Sequence, residues 1–182
     1  RSRYVELMRA VAAAGADVLE VGVPFSDPMA DGPIIQRSSQ IALEQGVGLH
    51  ETLALIDEAD LAIPVVLFSY LNPIMAAGQD VLERAAQAGV HGLLLTDLPV
   101  GADPVREAWV GAGPLAFVRL VAPTTPADRM REIAHHGRGF VYLISRLGVT
   151  GMQHDVASDL PETIARLRGA TDLPICVGFG VS

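Results

Sequence analysis

Hydrophobic positions along the chain fall into two alternating patterns. Stretches with apolar residues three or four apart lead to a glycine and then to a short, nearly unbroken apolar run. The phrase "VAAAGADVLEVGV" predicts a strand near 18–23, "AIPVVLFSY" one near 63–69 and "AQAGVHGLLLTD" one near 91–96. "GAGPLAFVRLVAP", "HHGRGFVYLIS" and "GATDLPICVGFG" predict three more, near 115–121, 139–145 and 174–179. Runs that are apolar throughout, rather than at every second position, belong to strands covered on both faces, as in parallel sheets.

The intervening segments carry helix signals. Asp103–Pro104 opens "DPVREAWVGAG" and Thr125–Pro126 opens "TPADRMREIAHHG". In both, a capping side chain stands before a proline whose missing N–H costs nothing in a first turn. "RSRYVELMRAVAAAG", "LHETLALIDEAD", "QDVLERAAQAG" and "ETIARLRGA" (after Leu160–Pro161) complete the set. Glycines 15, 89, 137 and 169 stand where a left-handed residue closes a helix.

Six strands alternating with helices in one domain, residues 1–182, leave two α/β architectures: an open doubly wound sheet or a (β/α)8 TIM barrel. No G-x-G-x-x-G follows the first strand, which weakens the dinucleotide-binding form of the open sheet. Polar residues gather after many strand ends: Ser26–Asp31, Tyr70–Asn72, Asp97, Thr124–Thr125, Ser145–Thr150 and Phe179–Gly180. A barrel spreads its site over the C-terminal ends of its strands, whereas an open sheet concentrates it at one switch point. The expectation is therefore a TIM barrel, incomplete, with about six of the eight βα units. The chain starts at Arg1 inside a helix pattern and stops at "GFGVS" directly after a strand, so both ends are expected to be cut from something longer. A barrel without its first and last strands cannot close and leaves open edges.

Composition narrows the function. Half of the 182 residues are hydrophobic, enough for one domain core. The net charge of −8 comes without a basic stripe to neutralise phosphates, so nucleic acid is not an expected partner. A single cysteine, Cys176, excludes an internal disulfide and fits a reducing compartment, with the cytoplasm expected. No apolar run approaches the roughly 20 residues that span a bilayer. The chain contains no lysine, which excludes Schiff-base chemistry. His50, His91, His135, His136 and His154 lack ligand spacing, and no metal site is expected.

Two carboxylates stand out in "DVLEVGVPFSDPMADGP". Glu20 interrupts an apolar strand, and whichever face it takes, the inside of the barrel or the helix layer, its surroundings are apolar. Lost solvation raises a carboxyl pKa toward neutrality, which suits a general acid/base. The same residue also reads as a glutamate at a fraying strand end or one paired with an arginine. Asp31 ends a loop stiffened by Pro24, Pro28 and Pro33, and such a loop could hold it over a pocket. "DGP" is equally an ordinary turn. Glycines 178 and 180 in "VGFGVS" permit close backbone approach and an anion nest. "SRLGVTG", with Arg146, reads as a phosphate-covering lid or as a plain surface loop.

The stretch "LEVGVPFSDPMADGPIIQRSS" resembles the signature of the tryptophan synthase alpha chain family. "LFSYLNPI", "GLLLTDLP", "LVAPTTP", "FVYLISRLGVTG" and "ICVGFGVS" continue the resemblance in the family's order over essentially the whole sequence. The resemblance implies a TIM barrel that cleaves indole-3-glycerol phosphate into indole and glyceraldehyde 3-phosphate. It places Glu20 on the catalytic glutamate and Asp31 on the catalytic aspartate that accepts the indole N–H. It further implies Tyr142 beside the substrate and Thr150 in a loop that closes against that of Asp31. Gly151, Gly178, Phe179 and Gly180 match backbone phosphate contacts. Tyr70, Asn72 and Asp97 match positions at the pocket or the partner interface. No cofactor is implied in this chain; the implied partner is a beta chain carrying pyridoxal phosphate, in an αββα complex. Two rivals remain: another phosphate-binding barrel enzyme, and an inactive fragment or docking subunit.

Overall fold

The structure, a computed structural model, describes residues 2–144 and 160–178. Its first half runs α1 (Ser2–Ala13), β1 (Leu19–Gly22), α2 (Pro33–Glu44), α3 (Leu49–Ala59), β2 (Val65–Ser69), α4 (Leu71–Ala76) and α5 (Val81–Gln87). The second half runs β3 (Val90–Leu95), α6 (Pro104–Ala112), β4 (Ala116–Val121), α7 (Ala127–His135), β5 (Val141–Ile144), α8 (Leu160–Arg168) and β6 (Ile175–Gly178). All six expected strands are present.

The strands form one sheet in sequence order, β1 to β6, and every neighbouring pair is parallel. Strictly sequential order is the barrel arrangement; a doubly wound sheet reverses order at its switch point. The sheet is also curled. Laid flat, strands three steps apart would stand about 14 Å from one another at ~4.8 Å per step. Yet the rings of Phe68 on β2 and Tyr142 on β5 lie only 6.3 Å apart, centroid to centroid. The sheet therefore bends round a concavity, and these six βα units are those of a TIM barrel.

Two faces of this sheet have different fates. The convex face packs under the helices, with Val65, Leu67, Val90, Leu93 and Phe117 in one buried cluster with helix residues Ile56, Leu82 and Val110. Val121, Met130, Val141, Leu143 and Leu167 form a second such cluster under α7 and α8. Alternate residues point inward, and Val66, Leu94, Val118 and Tyr142 line the concave side, with Phe68, Leu120 and Ile144 against them. The two-residue strand period thus separates a helix-facing layer from a cavity-facing layer.

Several local expectations need correction. Asp103 caps α6 as expected, its carboxylate accepting from the Arg106 N–H at 3.0 Å. Thr125 does not cap α7, which begins after Pro126; its hydroxyl instead accepts from the Ala122 N–H at 3.1 Å and closes the preceding turn. Gly15 and Gly89 adopt left-handed φ, whereas Gly137 and Gly169 do not. Gly137 has another reason: a β-carbon there would lie 3.2 Å from Cγ of Arg119, so any side chain at the end of α7 would require Arg119 to give by a few tenths of an ångström.

Helices α2 and α4 lie in stretches to which sequence patterning assigned no helix. Helix α2 starts with Gly32 as N-cap and Pro33 in its first turn, and buries no residue completely. Ile34, Ile35 and Ile41 remain exposed on it. Helix α4 contains Pro73, and its first N–H, that of Leu71, donates at 2.7 Å to a carboxylate oxygen of Asp97 after the next strand. That partner is remote in sequence, which is why no local cap signal marks the helix.

Candidate active site

Glu20 is the second residue of β1, in register with Val66 of β2, and so shares the inward face with Val66, Phe68, Leu94 and Tyr142. Burial in the first place, and then the Glu20 charge, raise both the Tyr142 hydroxyl and the Cys176 thiol. The side chain therefore points into the concavity. The expected sealed apolar setting is not what surrounds it, however. Glu20 is exposed, because β1 is an edge strand and the space between β1 and β6 is open. Solvent reaches it from that side while protein crowds it from the other. The crowding suffices for burial to push its carboxyl above the ordinary glutamate value.

Tyr142 of β5 lies across the cavity and is itself buried. Its hydroxyl is pushed up to about 12, first by burial and then by the Glu20 and Cys176 charges, so it stays a neutral donor. Its ring meets Phe68 edge-on with centroids 6.3 Å apart. A β-carbon built on Gly178 would overlap the hydroxyl end of this side chain, at its oxygen and Cζ. Glycine at 178 thus has a packing reason of its own: the β6 backbone passes directly under the Tyr142 phenol.

Asp31 sits beyond the C-terminal end of β1, half-buried, in the loop that joins β1 to α2. It is not left to the stiffness of its prolines. The Tyr70 hydroxyl donates to Asp31 Oδ2 at 2.9 Å and accepts from the Ala30 N–H at 2.9 Å. The rings of Tyr70 and Phe25, from the same loop, lie 5.1 Å apart. Gln36, one turn into α2, donates its amide to the Asp31 carbonyl at 2.8 Å. Asp31 is thereby carried by the rim at the end of β2, on the side where Glu20's strand also ends. Asp97 is exposed and satisfies α4, as described; Asn72 lies in α4, exposed, one residue on. Thr150, Gly151, Phe179 and Gly180 lie outside the described residues, as does the "SRLGVTG" loop.

One group behind this rim escaped the sequence reading. Arg119 of β4 and Glu107 of α6 form a buried ion pair at 3.0 Å. Arg119 also donates to the Leu98 carbonyl at 3.0 Å and the His136 carbonyl at 3.2 Å, and its guanidinium lies 3.6 Å over the Phe117 ring. Glu107 accepts from the Gly101 N–H at 2.8 Å. The pair clamps the loop 96–103 that carries Asp97. A lone arginine in the apolar run "AFVRLV" was the available signal. Among the described residues no cluster of histidine, cysteine or acidic side chains could hold a metal, and no helix is long and apolar enough to cross a membrane.

An inward-facing carboxylate on the first of the strands, an aspartate held at the rim of the next and sequential parallel order agree with one family model, that of the tryptophan synthase alpha chain, which matches residues 1–182. The chain belongs to the tryptophan synthase alpha chain family. It is 47% identical to the tryptophan synthase alpha chain of Desulfatibacillum aliphaticivorans, over 99% of this chain and 69% of that one. Against the alpha chain of Carboxydothermus hydrogenoformans the identity is 46%, over 97% and 67%. Among solved structures it superposes on tryptophan synthase from Mycobacterium tuberculosis with a TM-score of 0.84 at 36% identity, covering 97% of this chain and 68% of that one. The alpha subunit from Legionella pneumophila gives 0.82 at 36%, covering 97% and 66%. The chain thus spans about two thirds of the length of these family members, in keeping with its six βα units.

Proposed function

We propose that the chain performs the alpha reaction of tryptophan synthase, the aldol cleavage of indole-3-glycerol phosphate to indole and glyceraldehyde 3-phosphate, in the cytoplasm and in complex with a beta chain. The cleavage breaks the bond between indole C3 and the adjacent glycerol carbon. A proton must arrive at C3, and one must leave the hydroxyl on that carbon as it becomes the aldehyde. Glu20 is suited to both transfers, because a carboxyl raised above its ordinary value holds a proton nearer neutrality and can return to that state after giving it up. Positive charge develops on the indole ring as C3 is protonated. Asp31, accepting the indole N–H, stabilises that charge. Tyr142 packs the substrate against the inner wall. Resemblance to the family adds backbone N–H groups of Gly151, Gly178, Phe179 and Gly180 as phosphate contacts and assigns Thr150 to a loop that closes against that of Asp31.

The observation that carries this reading is the pairing of an inward carboxylate on β1 with a rim carboxylate just beyond it, in a chain without lysine. Proton transfer between carboxylates and substrate is then the available route to carbon–carbon cleavage. The pyridoxal phosphate chemistry belongs to the beta chain, which takes up the indole. Incubation with indole-3-glycerol phosphate, with and without a beta chain, should release indole and glyceraldehyde 3-phosphate in equal amounts, undiminished by borohydride. Absence of both products with the beta chain present, while complex formation persists, would leave a docking role only.

A further inference from the structure

The described contacts give Tyr70 a task that resemblance does not. Resemblance puts it among residues at the pocket or the partner interface. A tyrosine hydroxyl, however, has one proton to donate. In this fold that proton goes to Asp31 Oδ2, at 2.9 Å, while the oxygen accepts from the Ala30 N–H at the same distance. The phenol therefore has no donor left for a substrate.

We propose that Tyr70 is a positioning residue, whose hydroxyl sets where Asp31 stands over the cavity. The inference rests on the role of Asp31 given above. Three contacts from a single side chain reach into one loop: the Phe25 ring, the Ala30 amide and the Asp31 carboxylate. The anchor is the more deeply buried partner, since Tyr70 is only 3% exposed and Asp31 is half-buried. Tyr70 is fixed in turn from below. It follows directly on β2, and the next residue, Leu71, has its N–H tied to Asp97. The hydroxyl is also kept protonated, pushed up to about 12 by burial in the first place, so it donates throughout the pH range of enzyme action. Pro24, Pro28 and Pro33 restrict the loop's shape, and Tyr70 fixes its location.

The test is kinetic, on the full chain with the beta chain present. Tyr70→Phe keeps the ring, its burial and its contact with Phe25 but removes the hydroxyl. Its kcat should fall on the order of 10- to 100-fold, as for a catalytic group displaced by about an ångström, with KM little changed. Asp31→Asn should be impaired as well, and adding Tyr70→Phe to it should cost nothing further. Exchange of the Ala30 amide proton, read by NMR, should quicken in Tyr70→Phe. Wild-type kcat in Tyr70→Phe beside an impaired Asp31→Asn would overturn the inference and spare the role of Asp31. So would losses that multiply in the double variant, or unchanged protection of Ala30, which reads the anchoring without turnover. A fully active Asp31→Asn would overturn both.

Discussion

Replacing Arg119 by methionine removes a charge from the interior while keeping much of the side-chain volume, and the structure sets the scale of the effect. The guanidinium holds the Glu107 carboxylate at 3.0 Å and two backbone carbonyls, at Leu98 and His136, with both charged side chains less than a tenth exposed. Removing one partner of such a pair strands the other charge, at about 3–5 kcal/mol. That is a large fraction of the ~5–15 kcal/mol that holds a domain together. At ~2–4 °C per kcal/mol for a domain of this length, the melting temperature should drop by roughly 6–20 °C. Urea denaturation followed by circular dichroism gives the free energy directly. Glu107→Leu should cost a similar amount. The double variant, with no charge left buried, should lose far less than the sum. A loss under about 1 kcal/mol for Arg119→Met, the scale of an exposed pair, would refute the clamp, as would strict additivity.

Other outcomes follow from the same contacts. Gly178→Ala should destabilise the chain by about 1–3 kcal/mol through overpacking against Tyr142, and combination with Tyr142→Ala should show a favourable coupling in a denaturation cycle. Leu93→Ala, at a position with no exposure, should cost about 2–5 kcal/mol in the same assay. Glu20→Gln should raise the melting temperature at pH 8 but not at pH 4. Because the folded carboxyl is raised, its contribution is favourable below the ordinary glutamate value and is lost as pH climbs through the folded one. Equal melting shifts at both pH values would contradict the placement of Glu20.

Much of the fold was legible because parallel strands are buried on both faces and so appear as uninterrupted apolar runs. "VVLF" and "GLLL" need no tertiary information to be recognised. The inward aim of Glu20 follows from its register with Val66; the sequence left it a choice between cavity and helix layer. Its solvent exposure was not legible, since that depends on which strands flank β1. Helix α2 escaped because its apolar residues bury little, so they do not mark a core-facing stripe. The Asp31 anchor escaped for a different reason: Tyr70 is 39 residues away, and only the parallel pairing of β1 with β2 brings its rim beside that loop. Arg119 and Glu107 read separately as oddities in apolar surroundings and become intelligible only as partners.

The role of Glu20 in proton transfer is tested most directly by indole release from indole-3-glycerol phosphate, measured for Glu20→Gln beside the unaltered chain with the beta chain in excess. The amide keeps size and polarity but cannot exchange a proton at the required step. Turnover should fall by roughly 10²–10⁴-fold while substrate still binds, the scale of a lost general acid/base. Turnover within a few-fold of the unaltered chain would contradict it.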